Sequence, residues 1–157
     1  MISFDDPELA DFAKFEAFFW NLMHELSVID KANYPHDPRV DSDPTSPKYS
    51  FSVKKEAFFV IMLHPQSPRM ARGFPLPTIV FNAHQQFEDL RKKGIFEKVR
   101  DLIRKRDKQL QGFINPMLND FGTRSEALQY TGRMYESESK CPFHKLKSFF
   151  KKAPHTA

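Results

Sequence analysis

Phe12, Phe15, Phe19, Leu22 and Leu26 recur at helical spacing and lay out one apolar face near the start of the chain. Asp6-Pro7 precedes them, an acidic cap followed by the residue best tolerated in a first turn, so the pattern predicts a helix opening there and stopping near Ile29. From Asn33 to Lys48 the text turns Pro- and Asp-rich, with Pro35, Pro38, Pro44 and Pro47. Such a stretch sustains neither helix nor central strand and reads as an extended connection. Phe51 to Leu63 reads as one strand, mixed at first and then wholly apolar through Phe58-Phe59-Val60-Ile61, which suggests burial on both faces. Ser67-Pro68 predicts a capped short turn carrying Arg69 and Arg72, and Thr78 to Phe81 a second short strand.

Asn82 then reads as the cap of a helical segment, with Gln85 as its capping-box partner and Phe87 and Leu90 facing inward. Gly94 ends that segment. Ile95 to Gln111 is predicted as the longest helix, with Val99, Leu102, Ile103 and Leu110 on its inner side and Gly112 at its end. Thr123 with Glu126 suggests another capping box before a short helix through Tyr130. There are no internal repeats. The expected fold class is α+β: a mostly helical single domain over residues 1–143, with a small sheet of few strands, followed by a basic tail at 144–157.

Composition sharpens this picture in two places. Seventeen phenylalanines supply large buried area per residue, which suits either an ordinary core or a slot for a flat apolar cofactor. Twelve prolines against five glycines fit the long irregular connection. The formal charge of +4 is too small to argue for nucleic acid by itself. A single cysteine, Cys141, excludes an intrachain disulfide and a multi-cysteine zinc site. The acidic N-terminus lacks the basic start of a signal peptide, and the longest apolar run, Ala57 to Leu63, cannot span a bilayer. The expectation is a cytoplasmic protein with no membrane partner.

Four clusters could carry chemistry. His64 with Arg69 and Arg72 could form a polar site that holds carboxylates, or a capped loop with solvated arginines. His84 stands in the first turn of a predicted helix, where the dipole disfavours the imidazolium; a neutral imidazole between Phe81 and Phe87 suits an axial haem ligand better than zinc, which wants more protein ligands. It could equally be satisfied by backbone contacts. Cys141 could be a thiolate ligand, a core residue or a redox-sensitive thiol. The nine basic residues between Arg91 and Lys108 could track nucleic acid, but interleaved acids allow helical ion pairs and no aromatic alternation suggests base stacking, so a nucleic-acid partner is not expected.

Several linked blocks resemble the signature of the YqcI/YcgG family: LHPQSPRMARGFPLPTIVFNAHQQFEDLR from Leu63, IRKRDKQLQGFINPMLNDFG from Ile103, SEALQYTGR from Ser125, CPF from Cys141 and, more loosely, DPRVDSDP from Asp37. The resemblance implies b-type haem, molecular oxygen or a peroxide-level oxidant, and a small nitrogenous substrate such as an arginine derivative. It implies a haem-dependent oxygenase or oxidase acting on guanidino or amino nitrogen. The alternatives are a haem carrier or sensor without turnover, and a nucleic-acid module using the basic helix. Carried onto this chain, His84 is the first choice of iron ligand, with His64 and the Cys141 thiolate behind it. Arg69 and Arg72 would pair with haem propionates or a substrate carboxylate, Asn82 would fix the helix start, and Glu126 or Asp120 would hold a cationic guanidinium. Gly73, Leu128 and Thr131 depart from the family pattern. Members of the family tend to be longer, with a further N-terminal segment, so the expectation is one of three: a homodimer partner that completes the haem pocket, a different mode of haem binding, or a diverged short form.

Overall fold

The structure is a computed structural model that describes residues 1–114 and 116–135. It is a small α+β domain. Four strands, β1 (Ile2–Ser3), β2 (Phe51–Val53), β3 (Glu56–Leu63) and β4 (Thr78–Ala83), form one antiparallel sheet in the order β1-β4-β3-β2. Three helices accompany it: α1 (Phe12–Asn33), α2 (His84–Lys92) and α3 (Phe96–Gln111). Cys141, with the tail at 144–157, lies outside the described residues.

The first helix differs from its sequence pattern at both ends. Asp6 caps only a 3-10 turn, Pro7–Ala10, and Asp11 then caps α1 by accepting from the Lys14 amide. The helix runs on past Ile29 to Asn33, making it, and not α3, the longest among the described residues. Its continuation has a purpose in packing: Asp30 is buried and accepts the Lys54 amide at 2.7 Å, tying the helix end to the hairpin.

The predicted single strand from Phe51 is a hairpin. Lys54 and Lys55 both adopt positive φ, 50° and 68°, and reverse the chain in two residues. Such turns normally carry Asn-Gly, so two lysines gave no turn signal. The expected double-sided burial is uneven: Ala57, Val60 and Met62 are buried, while the residues between are only half-buried. Val60, Met62 and Ile79 join Phe12, Phe15, Phe19 and Met23 of α1, with Phe51 and Tyr130, in one core. The Phe-rich composition is thus accounted for in large part by packing.

Two further expectations are corrected. The side of α3 read as inward is open: Leu102, Ile103 and Leu110 are each about half exposed, and the one buried side chain of that helix is Asp107. Gly112, at φ 85°, does end it. The proline-rich connection is not extended but runs through successive turns, closed by the Val40, Ser46 and Tyr49 amides donating to the Asp37, Asp43 and Ser46 carbonyls, and it is clamped: Asp37 accepts from the Arg39 guanidinium and from the Ala57 amide, and Arg39 reaches Gln85 of α2 at 2.6 Å. The guanidinium holds the Asp37 carboxyl down at about 2. Among the described residues no helix is long and apolar enough to cross a membrane.

Candidate active-site cleft

An open cleft of about 190 Å³ lies between α2, α3 and the segment from Leu118 to Gln129. Its wall is apolar, built from Phe59, Phe87, Leu90, Phe96, Val99 and Phe121. Alternation along β3 puts Phe59 on the opposite face from Val60, and its ring meets Phe87 of α2 edge-on at 6.2 Å. Polar groups break this wall: His84, Arg91, Asn119, Glu126, Gln129 and the Arg100–Asp120–Arg104 cluster.

His84 is the first residue of α2 and only 4% exposed. Its position is set by the β4 ladder, which runs through to Ala83 opposite Phe58 and delivers the next residue to the cleft. The predicted cap is therefore absent. Asn82 belongs to β4 and donates across the sheet to the Phe59 carbonyl, while Gln85 bonds Asp89 and Arg39. The imidazole edge meets the Phe121 ring at 4.9 Å, and Nε2 lies 3.4 Å from Glu88. Glu88 is itself paired with Arg91. Burial pushes the His84 pKa down, helped by Arg91 and Arg39 and opposed by Glu88 and Asp37. The neutral imidazole expected from the helix dipole is thus favoured, chiefly by desolvation.

Glu126 was read as a capping residue, and this is corrected. Ser125 caps the 3-10 turn Glu126–Gln129 by accepting from the Ala127 amide, which frees the Glu126 side chain to turn inward. It is buried, and its Oε1 accepts from the Ser50 hydroxyl at 2.6 Å and the Tyr130 phenol at 2.8 Å. Burial raises its pKa to about 7 against the pull of those two hydrogen bonds. Sequence reasoning missed Ser50 and Tyr130 as its partners. The i,i+4 spacing of Glu126 and Tyr130 was the available signal; Ser50 had none, because the contact spans most of the fold.

The His64 cluster lies elsewhere. His64 is fully buried, stacked on Phe15 and edge-to-face with Phe12. The Gln66 amide donates to Nδ1, so Nε2 carries the proton and donates to the Leu9 carbonyl at 3.0 Å. Both ring nitrogens are occupied by backbone, leaving none for iron. Arg69 and Arg72 are buried rather than solvated. Arg69 forms an ion pair with Asp107 of α3 at 2.9 Å. Arg72 donates to the Gln129 carbonyl, and its Nη1 has no hydrogen-bond partner among the described residues. Burial and the neighbouring Arg69 lower its pKa to about 9. Gly132 makes room here, at φ 74°, since a Cβ there would come within 3.0 Å of the Arg72 side chain.

His84, Glu126 and Asp120 are therefore gathered on one cleft, while His64, Arg69 and Arg72 form a separate, internally satisfied cluster apart from Nη1. Among the described residues no three of His, Cys, Asp or Glu converge as a metal-binding group. Bacillus subtilis (strain 168) YqcI, an uncharacterized protein, is 32% identical over 163 residues covering 96% of this chain. YcgG of the same organism, also uncharacterized, is 33% identical over 162 residues covering 97% of it. The chain spans 63% of the length of each relative. No solved structure matches. The profile of the YqcI/YcgG family matches residues 1–144, and the chain belongs to that family.

Proposed function

We propose that this chain provides the cofactor and substrate wall of a haem-dependent oxygenase or oxidase acting on a small nitrogenous compound. The observation that carries the reading is the placing of one buried, neutral-leaning imidazole and one buried carboxyl on the same phenylalanine-lined cleft. The donor set fits haem better than a bare metal: a single histidine amid aromatic rings suits an axial ligand, whereas zinc or non-haem iron wants several protein ligands. The cleft is open and, at 190 Å³, smaller than the roughly 300–1,000 Å³ of enclosed small-molecule sites. The described residues fit one side of such a group.

His84 would hold the iron, and its orientation is fixed by Phe121 and by its place at the head of α2. Bound haem would supply oxygen activation. The protein's own part is to keep His84 unprotonated by burial, to present apolar rings that exclude water, and to place the Glu126 carboxyl where a polar substrate group arrives. Arg100 is paired with Asp101 and Asp120, Arg104 with Asp120, and Arg91 with Glu88, which weakens the case for α3 as a phosphate-tracking face.

The test is an absorption spectrum of protein produced with ample haem, followed by oxygen-dependent conversion of arginine-type compounds. A Soret band that changes in His84→Ala and not in His64→Ala is the expected result, with turnover supporting an enzyme and its absence a carrier. An identical iron spectrum in the His84 variant would sink the ligand assignment.

A further inference from the structure

We infer that a second pocket, enclosed by α1, the proline-rich connection and β2, is a binding site for a tetrahedral oxyanion, phosphate or sulfate, free or as the end of a small ester. It shares no lining residue with the cleft and stands independently of the haem reading.

Three parts of the chain build it. His24, Ser27 and Lys31 recur at i, i+3 and i+7 and therefore share one face of α1. The connection adds His36 and Ser42, and β2 adds Ser52. The cavity holds about 70 Å³, room for one small polyatomic ion, since a water takes up roughly 30 Å³ in the liquid.

The lining carries charge of one sign. Among the described residues no carboxylate lines the pocket, and Lys31 forms no ion pair. The aspartates of the connection are engaged by other groups: Asp37 accepts from Arg39, Asp41 from Ser46 and Asp43 from Thr45. Donors are in surplus. The Asp37 amide donates to Ser52 Oγ at 3.0 Å, which leaves the hydroxyl proton of Ser52 to donate in turn. His36 Nε2 is sealed from solvent and has no hydrogen-bond partner among the described residues, a state that costs free energy until an acceptor arrives. A lysine beside two imidazoles repels a metal cation. An oxyanion instead presents acceptor oxygens in several directions at once, as donors from three parts of the chain require.

Occupancy should move protons. Burial pushes the His36 pKa down, helped by Lys31 and opposed by the Asp41 and Ser50 carbonyls and the Asp37 charge. The charged and titratable groups around the pocket are His24 and Lys31 from α1, and His36, Asp37 and Tyr49 from the connection; β2 brings none. A bound anion favours protonated imidazole, so binding takes up protons and tightens as pH falls.

The experiment is titration calorimetry of the full chain with sulfate, inorganic phosphate and phenyl phosphate at constant ionic strength. Sulfate keeps its charge between pH 6 and 8, so it reads the protein's titration alone. Sulfate and phosphate should bind, with sulfate at least about fivefold tighter at pH 6 than at pH 8 and with proton uptake. Lys31→Ala and His36→Gln should each weaken sulfate binding about tenfold, and His36→Gln should also flatten the pH dependence. Lys14→Ala, elsewhere on α1, should change neither. Lys31 is exposed, so its variant reports even where His36→Gln folds poorly. Phenyl phosphate binding as tightly as phosphate identifies an ester as the guest and its exclusion a free ion; either upholds the site. No binding of sulfate or phosphate, unchanged affinity in Lys31→Ala, or zinc binding that needs His24 and His36 overturns the inference.

Discussion

His64 and His84 each follow directly on a strand, and each stands within the same stretch of family-like text. Their surroundings differ completely. His64 sits between two phenylalanine rings with both nitrogens bonded to backbone, close in sequence to arginines of which one, Arg69, has its own buried carboxylate. His84 packs against the Phe121 ring, has one long polar contact to the partly exposed Glu88, and lines a cleft. The lesson is that buried polar groups divide into those matched by opposite charge or backbone inside the protein, which hold the fold, and those that line the cleft without a matching charge of their own. Glu126 falls on the second side with His84, and Arg69 on the first with His64.

The largest expected effect tests the sealed side. Asp107→Ala would leave Arg69 and Arg72 buried without the neighbouring negative charge, at a cost of about 3–5 kcal/mol in urea unfolding. Replacing both partners, Arg69→Met with Asp107→Leu, should recover much of that loss. A single-variant cost below about 1 kcal/mol would mean the cluster is hydrated and the division drawn above is false. His64→Ala should cost ~3 kcal/mol through its cavity and two orphaned backbone groups, while ligand binding in the cleft stays as it was. Changed binding in that variant would join the two regions.

Glu126 gives the open side a pH signature. Its folded pKa, about 7, lies above the ordinary value of 4.5, so its stabilising contribution is fully present below pH 4.5 and is lost as pH rises through 7. Wild-type stability should fall relative to Glu126→Gln by about 3 kcal/mol over that window, read from urea midpoints at each pH. A parallel pH dependence in the two proteins would show the carboxyl to be solvated. Asp37 runs the other way: its contribution is present above pH 3.8 and lost as pH falls toward 2, and Asp37→Asn should blunt the acid limb of the unfolding curve. The smallest effect is a control remote from both regions. Lys54-Lys55→Asn-Gly should stabilise by about 1 kcal/mol, raising the melting temperature ~2–4 °C, because the lysines occupy a conformation that glycine and asparagine adopt more readily.

What the sequence made legible was local. Helical spacing located α1, α2 and α3, and apolar runs located β3 and β4, because each is a short-range pattern. The two-residue β1 carried no pattern at all, and the hairpin hid behind two lysines in a turn that usually declares itself with Asn-Gly. Capping boxes failed twice for one reason: Asn82 and Glu126 have the right spacing, but long-range partners, the Phe59 carbonyl and the Ser50 hydroxyl, took their side chains. His84 was placed correctly in the first turn of a helix, because the apolar run of β4 and the spacing of α2 meet at that residue. The pairing of Arg69 with Asp107, and of Glu126 with Ser50, joins residues far apart in the chain, and spacing has no access to such contacts.

Tyr130 has a consequence for measurement. Its carbonyl accepts the Met62 amide at 2.8 Å and its phenol accepts the Phe51 amide, so one residue behind the Glu126 carboxyl latches two strands of the sheet. Occupancy of the cleft that steadies Glu126 must therefore slow hydrogen–deuterium exchange at those two amides. Neither lines the cleft, which makes them built-in sensors readable by mass spectrometry or NMR without any label on the ligand.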